Sequence, residues 1–115
     1  MDSKIVRIYR ESNGGNFRYT IYYKDCDDVS AVTLPEGLWN KSVIVNSLIR
    51  QKFSQDHVEA IVNNHFLNIG GWLDARLAGS TDKFVDIEYD ELQEWRQVCK
   101  QIAVDALIQY PEETL

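Results

Sequence analysis

The longest regular run of apolar positions lies between residues 86 and 110. Within it, apolar side chains recur at alternating spacings of three and four, at Leu92, Trp95, Cys99, Ile102 and Ala106. This spacing places them on one face of an α-helix. A helix from Asp90 to Gln109 would be roughly 30 Å long, about the diameter of a small domain. We therefore predict that the rest of the chain packs around this helix.

A strict alternation of apolar and polar residues marks the N-terminal part of the chain. It is clearest at Phe17, Tyr19, Ile21 and Tyr23. The alternation predicts a half-buried strand over residues 17–24, paired with a second strand over residues 4–10. Between them, the Asn- and Gly-rich segment 12–16 supplies the positive φ angles that a tight reversal needs. The short β-branched segment 29–34 predicts a third antiparallel strand.

The same alternation assigns the hairpin side chains to two faces. Val6 and Ile8 are predicted to share the core face with Tyr19. The outer face is then predicted to carry Ile5, Arg7, Tyr9, Arg18, Thr20 and Tyr22. This outer face would be both basic and aromatic.

Two helices are predicted between the strands and the C-terminal helix. Asn40 and Ser54 are good N-cap residues for helices that start at positions 41 and 55. The β-branched run 43–45 leaves a strand as the alternative for part of the first helix. The pair Gly70 and Gly71 is predicted to end the second helix, and residues 72–77 to form one or two further turns.

These elements define the predicted fold class, which is α+β. The whole chain, residues 1–115, is expected to form one domain, in which an N-terminal antiparallel hairpin or three-stranded meander packs against three main helices. The predicted core is Ile8, Tyr19, Ile21, Ile44, Leu48, Ile61, Phe66, Leu92, Trp95 and Ile102.

Charge and cysteine usage narrow the functional classes. The net charge of −6 combines five basic and two acidic residues in positions 1–24 with a strongly acidic remainder. An acidic body disfavours general nucleic-acid binding, which depends on Lys and Arg neutralising phosphates. No apolar run is long enough to span a bilayer or to form the core of a secretory signal, so no membrane association is expected. Cys26 and Cys99 stand far apart without metal-ligand spacing, and reduced thiols in the cytoplasm are the expectation.

The sequence shows no catalytic or cofactor motif. His57 and His65 are eight positions apart, too far to share a metal ion, since a zinc-binding helix places its histidines four apart. The glycine pairs lack the surroundings of a phosphate loop, and no GxSxG turn is present. We therefore predict no enzyme activity, no metal site and no cofactor.

The leading functional prediction is a small, non-catalytic, cytosolic protein-interaction or accessory domain. The alternative is a single-stranded nucleic-acid-binding module. In that alternative, Tyr9 and Tyr22 would stack on bases while Arg7 and Arg18 meet phosphates.

The end of the C-terminal helix suggests a second interaction surface. Val104 and Ile108 are four residues apart and form their own stripe, displaced from the predicted core face. A helix that is apolar on most sides is normally covered on most sides. We predict that these two residues contact a partner protein or a second copy of the chain. The alternative is that residues 69–77 fold back over them.

Overall fold

The computed structural model describes residues 4–114, with the backbone alone described at Asn13, Glu113 and Thr114. A three-stranded antiparallel sheet comes first and three helices follow it. The α+β fold class and the three-stranded form of the sheet are therefore confirmed.

The sheet contains strands β1 (Ile5–Asn13), β2 (Asn16–Asp25) and β3 (Asp28–Thr33), in that spatial order. The strands of the hairpin are longer than predicted, because Gly14 and Gly15 alone make the turn. Their φ angles of 62° and 92° lie in the left-handed region, which suits a two-residue hairpin loop and favours glycine.

A β-bulge near the start of β1 changes which side chains face the core. The pairing shifts between Ile5, which lies opposite Tyr23, and Arg7, which lies opposite Tyr22. Because a bulge inserts one residue, the inward and outward alternation is displaced on one side of it. Ile5 is therefore half-buried against the core and Val6 is exposed. The predicted positions of these two residues were reversed.

The helices are α1 (Lys41–Lys52), α2 (Gln55–Leu77) and α3 (Ile87–Gln109). The N-caps predicted for the first two helices are confirmed. The side chain of Asn40 accepts a hydrogen bond from the backbone N–H of Val43 at 3.0 Å, and that of Ser54 accepts one from His57 at 3.1 Å.

The main departure from prediction is the length of α2. The helix passes through Gly70 and Gly71 and continues to Leu77, and Gly79, just beyond its C-cap Ala78, has a φ of 101°. At that end the N–H of Gly79 donates to the carbonyl of Arg76, and the N–H of Ser80 donates to that of Ala75. This pair of bonds is a Schellman motif, which needs glycine at the left-handed position. The predicted stop at residue 70 was wrong.

The core lies between the sheet and the helices α1 and α3. The predicted core residues are all buried except Phe66, which is largely exposed. Trp39, in the short strand β4 (Leu38–Trp39), is fully buried and stacks on Tyr19 with ring centroids 4.1 Å apart. Its indole N–H donates to the carbonyl of Tyr110 at 2.6 Å. The strand β4 pairs with β5 (Glu113–Thr114), so the chain just beyond α3 is fixed beside α1.

The described chain is elongated rather than spherical. Its radius of gyration is 18.3 Å and its longest extent is 64 Å, whereas a compact chain of this length would have a radius of gyration of about 13 Å. Along α2, Ile61 is the one fully buried residue. The second half of this helix therefore extends away from the core. Within residues 4–114, none of the helices combines the length and apolarity needed to cross a bilayer.

Candidate functional site

The outer face of the sheet is the first candidate surface. Arg7 lies opposite Tyr22, and Tyr9 lies opposite Thr20, across the same strand pair. Both tyrosines are exposed, and the guanidinium of Arg7 lies 5.5 Å from the ring centroid of Tyr9. Arg18 is exposed too, one step further along this face. The structure therefore brings together the four residues singled out on this face, without assigning them a ligand.

The basic character of this face is reduced at one end. Arg18 lies opposite Glu11 and forms an ion pair with Glu36, with the nearest N and O atoms 3.5 Å apart. An arginine paired in this way offers less positive charge to a phosphate. The basic and aromatic part of the face is thus concentrated at Arg7, Tyr9 and Tyr22.

Val104 and Ile108 form the second predicted surface, on the last two turns of α3. Their exposed fractions are 40% and 76%. Residues 69–77 belong to α2 and leave both side chains exposed. The alternative that this segment covers them within one chain was wrong, and their contact with a partner stays a prediction.

The third surface was not anticipated, and it lies on the projecting half of α2. We call Phe66, Gly70, Leu73 and Leu77 the α2 stripe. Their spacings of four, three and four place them in one row along the helix. The three large members are exposed by 67%, 49% and 88% respectively. The spacing is present in the sequence, but the assumed helix end at residue 70 concealed it.

Further exposed apolar side chains lie in the same half of the molecule as the α2 stripe. Leu67 on α2, Val85 before α3 and Ile87 at its start are each exposed by about two thirds or more. Monomeric proteins expose single apolar residues routinely, whereas a contiguous patch of them marks an interaction site. The row of large side chains in the α2 stripe, with Leu67 beside it, is a candidate for such a patch.

The two glycines in the middle of α2 are also unexplained within one chain. A Cβ atom added at Gly70 or Gly71 would meet nothing within 4 Å. Each glycine costs the helix about 1 kcal/mol relative to alanine. Intramolecular packing therefore does not account for either glycine.

A cluster of aromatic residues holds the projecting helix in place. The rings of His65 and Tyr89 stack with centroids 3.5 Å apart. Further out, the ring of Trp72 packs edge-on against Phe84, and its indole N–H donates to the carbonyl of Asp82 at 2.9 Å. These contacts hold the segment 78–86 against one side of α2. The α2 stripe lies on a different side of the helix and stays exposed.

Asp86 connects this cluster to the start of α3. One of its carboxylate oxygens accepts a hydrogen bond from the N–H of Tyr89 at 3.2 Å and caps the helix. The other lies 2.9 Å from Nδ1 of His65 and 3.3 Å from the side-chain amide of Asn68. The hydrogen bond from His65 is the largest cause that lowers the pKa of Asp86 below its ordinary value.

A cleft of about 390 Å³ lies between the β2–β3 turn and α3. Lys52 projects into it, with its ammonium 3.0 Å from the carboxylate of Asp25 and 4.1 Å from the ring centroid of Trp95. Lysines and carboxylates line the cleft together, so it has no single sign of charge that would select an ionic ligand.

The two cysteines occupy contrasting positions. Cys99 is fully buried, and burial raises the pKa of its thiol to about 12, which makes it unreactive at neutral pH. Cys26 is exposed on the β2–β3 turn, where its φ is 58°. Both thiols are free. Among residues 4–114, no group of three or more His, Cys, Asp or Glu side chains is arranged to hold a metal ion.

In comparisons with protein-family models, with curated proteins and with solved structures, none matched this chain.

Proposed function

We propose that the chain is a non-catalytic protein-interaction module that binds its partner through the α2 stripe. The observation that carries this proposal is the row of Phe66, Leu73 and Leu77, exposed on a helix that projects from the core. A partner that covered these side chains would remove their apolar surface from water.

The energetic argument favours a protein partner. Fully burying one Leu or Phe side chain contributes about 1.5–3 kcal/mol. Burying three such side chains in one row can therefore offset part of the entropy cost of association. The α2 stripe is an apolar row along one face of a helix. Amphipathic helices commonly bind protein partners through such an apolar face.

The other two surfaces belong to the proposal as secondary contacts. Val104 and Ile108 offer a smaller apolar stripe on α3, and the outer sheet face offers exposed tyrosines. We also propose a cytosolic location, on the ground that the chain carries two free thiols, as is common in reducing compartments.

Site-specific crosslinking in the native cell tests this proposal. Replacing Phe66 with benzoylphenylalanine keeps an aromatic side chain at the centre of the α2 stripe. The matched control places the same group at Gln51, which is exposed on α1. We expect protein adducts, to a second copy or to another protein, from position 66 and not from position 51. An absence of adducts at position 66 would contradict the proposal.

A second candidate function is single-stranded nucleic-acid binding by the outer sheet face. The observation that favours it is the exposure of Tyr9 and Tyr22 beside Arg7, because aromatic rings stack on bases and arginines meet phosphates. Fluorescence anisotropy of labelled oligonucleotides at low salt tests it. Arg7→Glu and Tyr22→Ala should each abolish binding, and added salt should weaken it.

The control for charge in that experiment is Arg50→Glu, which makes the same change at an exposed site on α1. It should leave binding by the outer sheet face nearly intact. If the unmodified protein binds no oligonucleotide at low salt, the nucleic-acid function is excluded.

A further inference from the structure

We propose that the occupant of the α2 stripe is a second copy of this chain, with the two α2 helices packed antiparallel about a two-fold axis. The inference rests on the proposed function, because it names the partner of the same surface. It is carried by the symmetry of the stripe, by the glycine at its centre and by the apolar area available.

The stripe is self-complementary when it is reversed. Spacings of four, three and four read the same in both directions. In an antiparallel pair, Phe66 of one copy lies opposite Leu77 of the second, and Gly70 lies opposite Leu73. A two-fold axis requires this kind of match, in which the same patch serves both copies. A large side chain then faces the position without a side chain, on both sides of the axis.

Gly70 allows the two α2 helices to approach each other closely. A helix position without a Cβ atom lets a neighbouring backbone or a large side chain come near. The space above Gly70 is empty in the single chain, so Leu73 of a second copy can fill it. Gly71 is turned about 100° around the helix from Gly70 and lies away from the contact.

The exposed apolar area along the stripe approaches the range of a stable dimer. Four side chains contribute to it, namely the three large members of the stripe and Leu67 beside them on the helix. If each exposes on the order of 100 Å², covering them on both copies removes roughly 800 Å² of apolar surface from water, and the polar side chains around them bring the whole contact towards the lower bound for a specific interface. A second copy supplies an apolar surface of the same size and shape, whereas a different partner would need a matching apolar surface of its own.

Sedimentation equilibrium of the purified protein tests the inference with two matched variants. Gly70→Ala and Gly71→Ala add the same methyl group to the same helix, one inside the contact and one outside it. We expect the unmodified protein to be a dimer. Gly70→Ala should weaken that dimer about tenfold or more, because overpacking at a close contact is destabilising. Gly71→Ala should leave the dimer constant nearly unchanged.

Circular dichroism of both variants shows whether they fold. Each should be at least as helical as the unmodified chain, because alanine favours a helix more than glycine does. Loss of the dimer in Gly70→Ala can therefore be separated from unfolding.

Three results would overturn the inference. The first is an unmodified protein that remains a monomer at the highest concentration reached; adducts to another protein at position 66 would then still support the proposed function. The second is a dimer that responds equally to the two alanine variants. The third is a dimer that Val104→Glu with Ile108→Lys converts to folded monomers while Gly70→Ala does not, which would place the contact on α3.

Discussion

Ile102 and Ile108 are the same residue type, six positions apart on α3, in opposite environments. Ile102 is fully buried against the core, and Ile108 is exposed. Ile102→Ala should lower the free energy of unfolding by roughly 2–5 kcal/mol, because it removes buried methyl groups and leaves a cavity. Ile108→Ala is the matched control and should change it by less than about 0.5 kcal/mol. Urea unfolding measures both, under conditions that keep the protein monomeric. A loss below about 1 kcal/mol for Ile102→Ala would contradict its assigned burial.

Asp86 gives a prediction for the dependence of stability on pH. Its pKa in the folded chain is lowered from the ordinary value of 3.8, chiefly by the hydrogen bond from His65. The unfolded chain therefore binds more protons at this group, and its stabilising contribution is present above the unfolded pKa. That contribution is lost as the pH falls through the lower, folded pKa. Asp86→Asn keeps an oxygen that can cap α3 but removes the ionised carboxylate.

We expect the unmodified protein to be more stable than Asp86→Asn at neutral pH. The difference should shrink as the pH falls below about 3.8. Urea unfolding of both proteins across this range measures it. A difference that stays constant with pH would show that the carboxylate charge has no part in the contact.

Single residues also show where sequence reasoning succeeds. The caps Asn40 and Ser54 were predictable, because a capping side chain bonds to backbone groups only a few positions away. The positions of Ile5 and Val6 were not, because the bulge between Ile5 and Arg7 is a property of how two strands pair. Alternation alone assumes an uninterrupted register.

At the scale of elements, α2 shows that a glycine is not by itself a helix end. Gly70 and Gly71 adopt helical φ angles, whereas Gly79 has a φ of 101°. The left-handed conformation ends the helix, and the residue type only permits it. Sequence alone cannot tell these glycines apart, since the outcome depends on the contacts that Trp72 makes beyond residue 70. The assumed helix end at residue 70 is why the α2 stripe was missed.

This difference predicts opposite signs for two alanine substitutions in the same helix. Gly79→Ala should destabilise the protein by about 1 kcal/mol or more, because a Cβ atom disfavours positive φ. Gly71→Ala should stabilise it by roughly 1 kcal/mol. Thermal unfolding followed by circular dichroism compares the two. Equal effects of the same sign would contradict a helix that runs through Gly71 and is terminated by the left-handed conformation of Gly79.

At the scale of the whole molecule, the chain has a core half and a projecting half. The architecture of the core half follows from patterns in the sequence, because a tight hairpin and helices with one apolar face leave few ways to pack. The projection of α2 does not follow from these patterns. A row of apolar side chains at helical spacing looks the same in the sequence whether the rest of the chain packs on it or leaves it exposed. Of the predicted surfaces, the sequence located the exposed tyrosines of the outer sheet face and the pair Val104 and Ile108. Their binding roles stay predictions.

The distance between spin labels in paired copies tests the central proposal most directly, since it reports both the projection of α2 and the direction of pairing. Asn64 and Ala75 are exposed on the side of α2 away from the stripe. Each would be replaced by a labelled cysteine in a Cys26→Ser background. In the antiparallel pair, the two labels are offset along the helix axis by roughly 22 Å at position 64 and roughly 10 Å at position 75. We therefore predict a clearly longer distance at position 64 than at position 75. Equal distances at the two positions, or no dipolar coupling at either, would contradict antiparallel pairing through the α2 stripe.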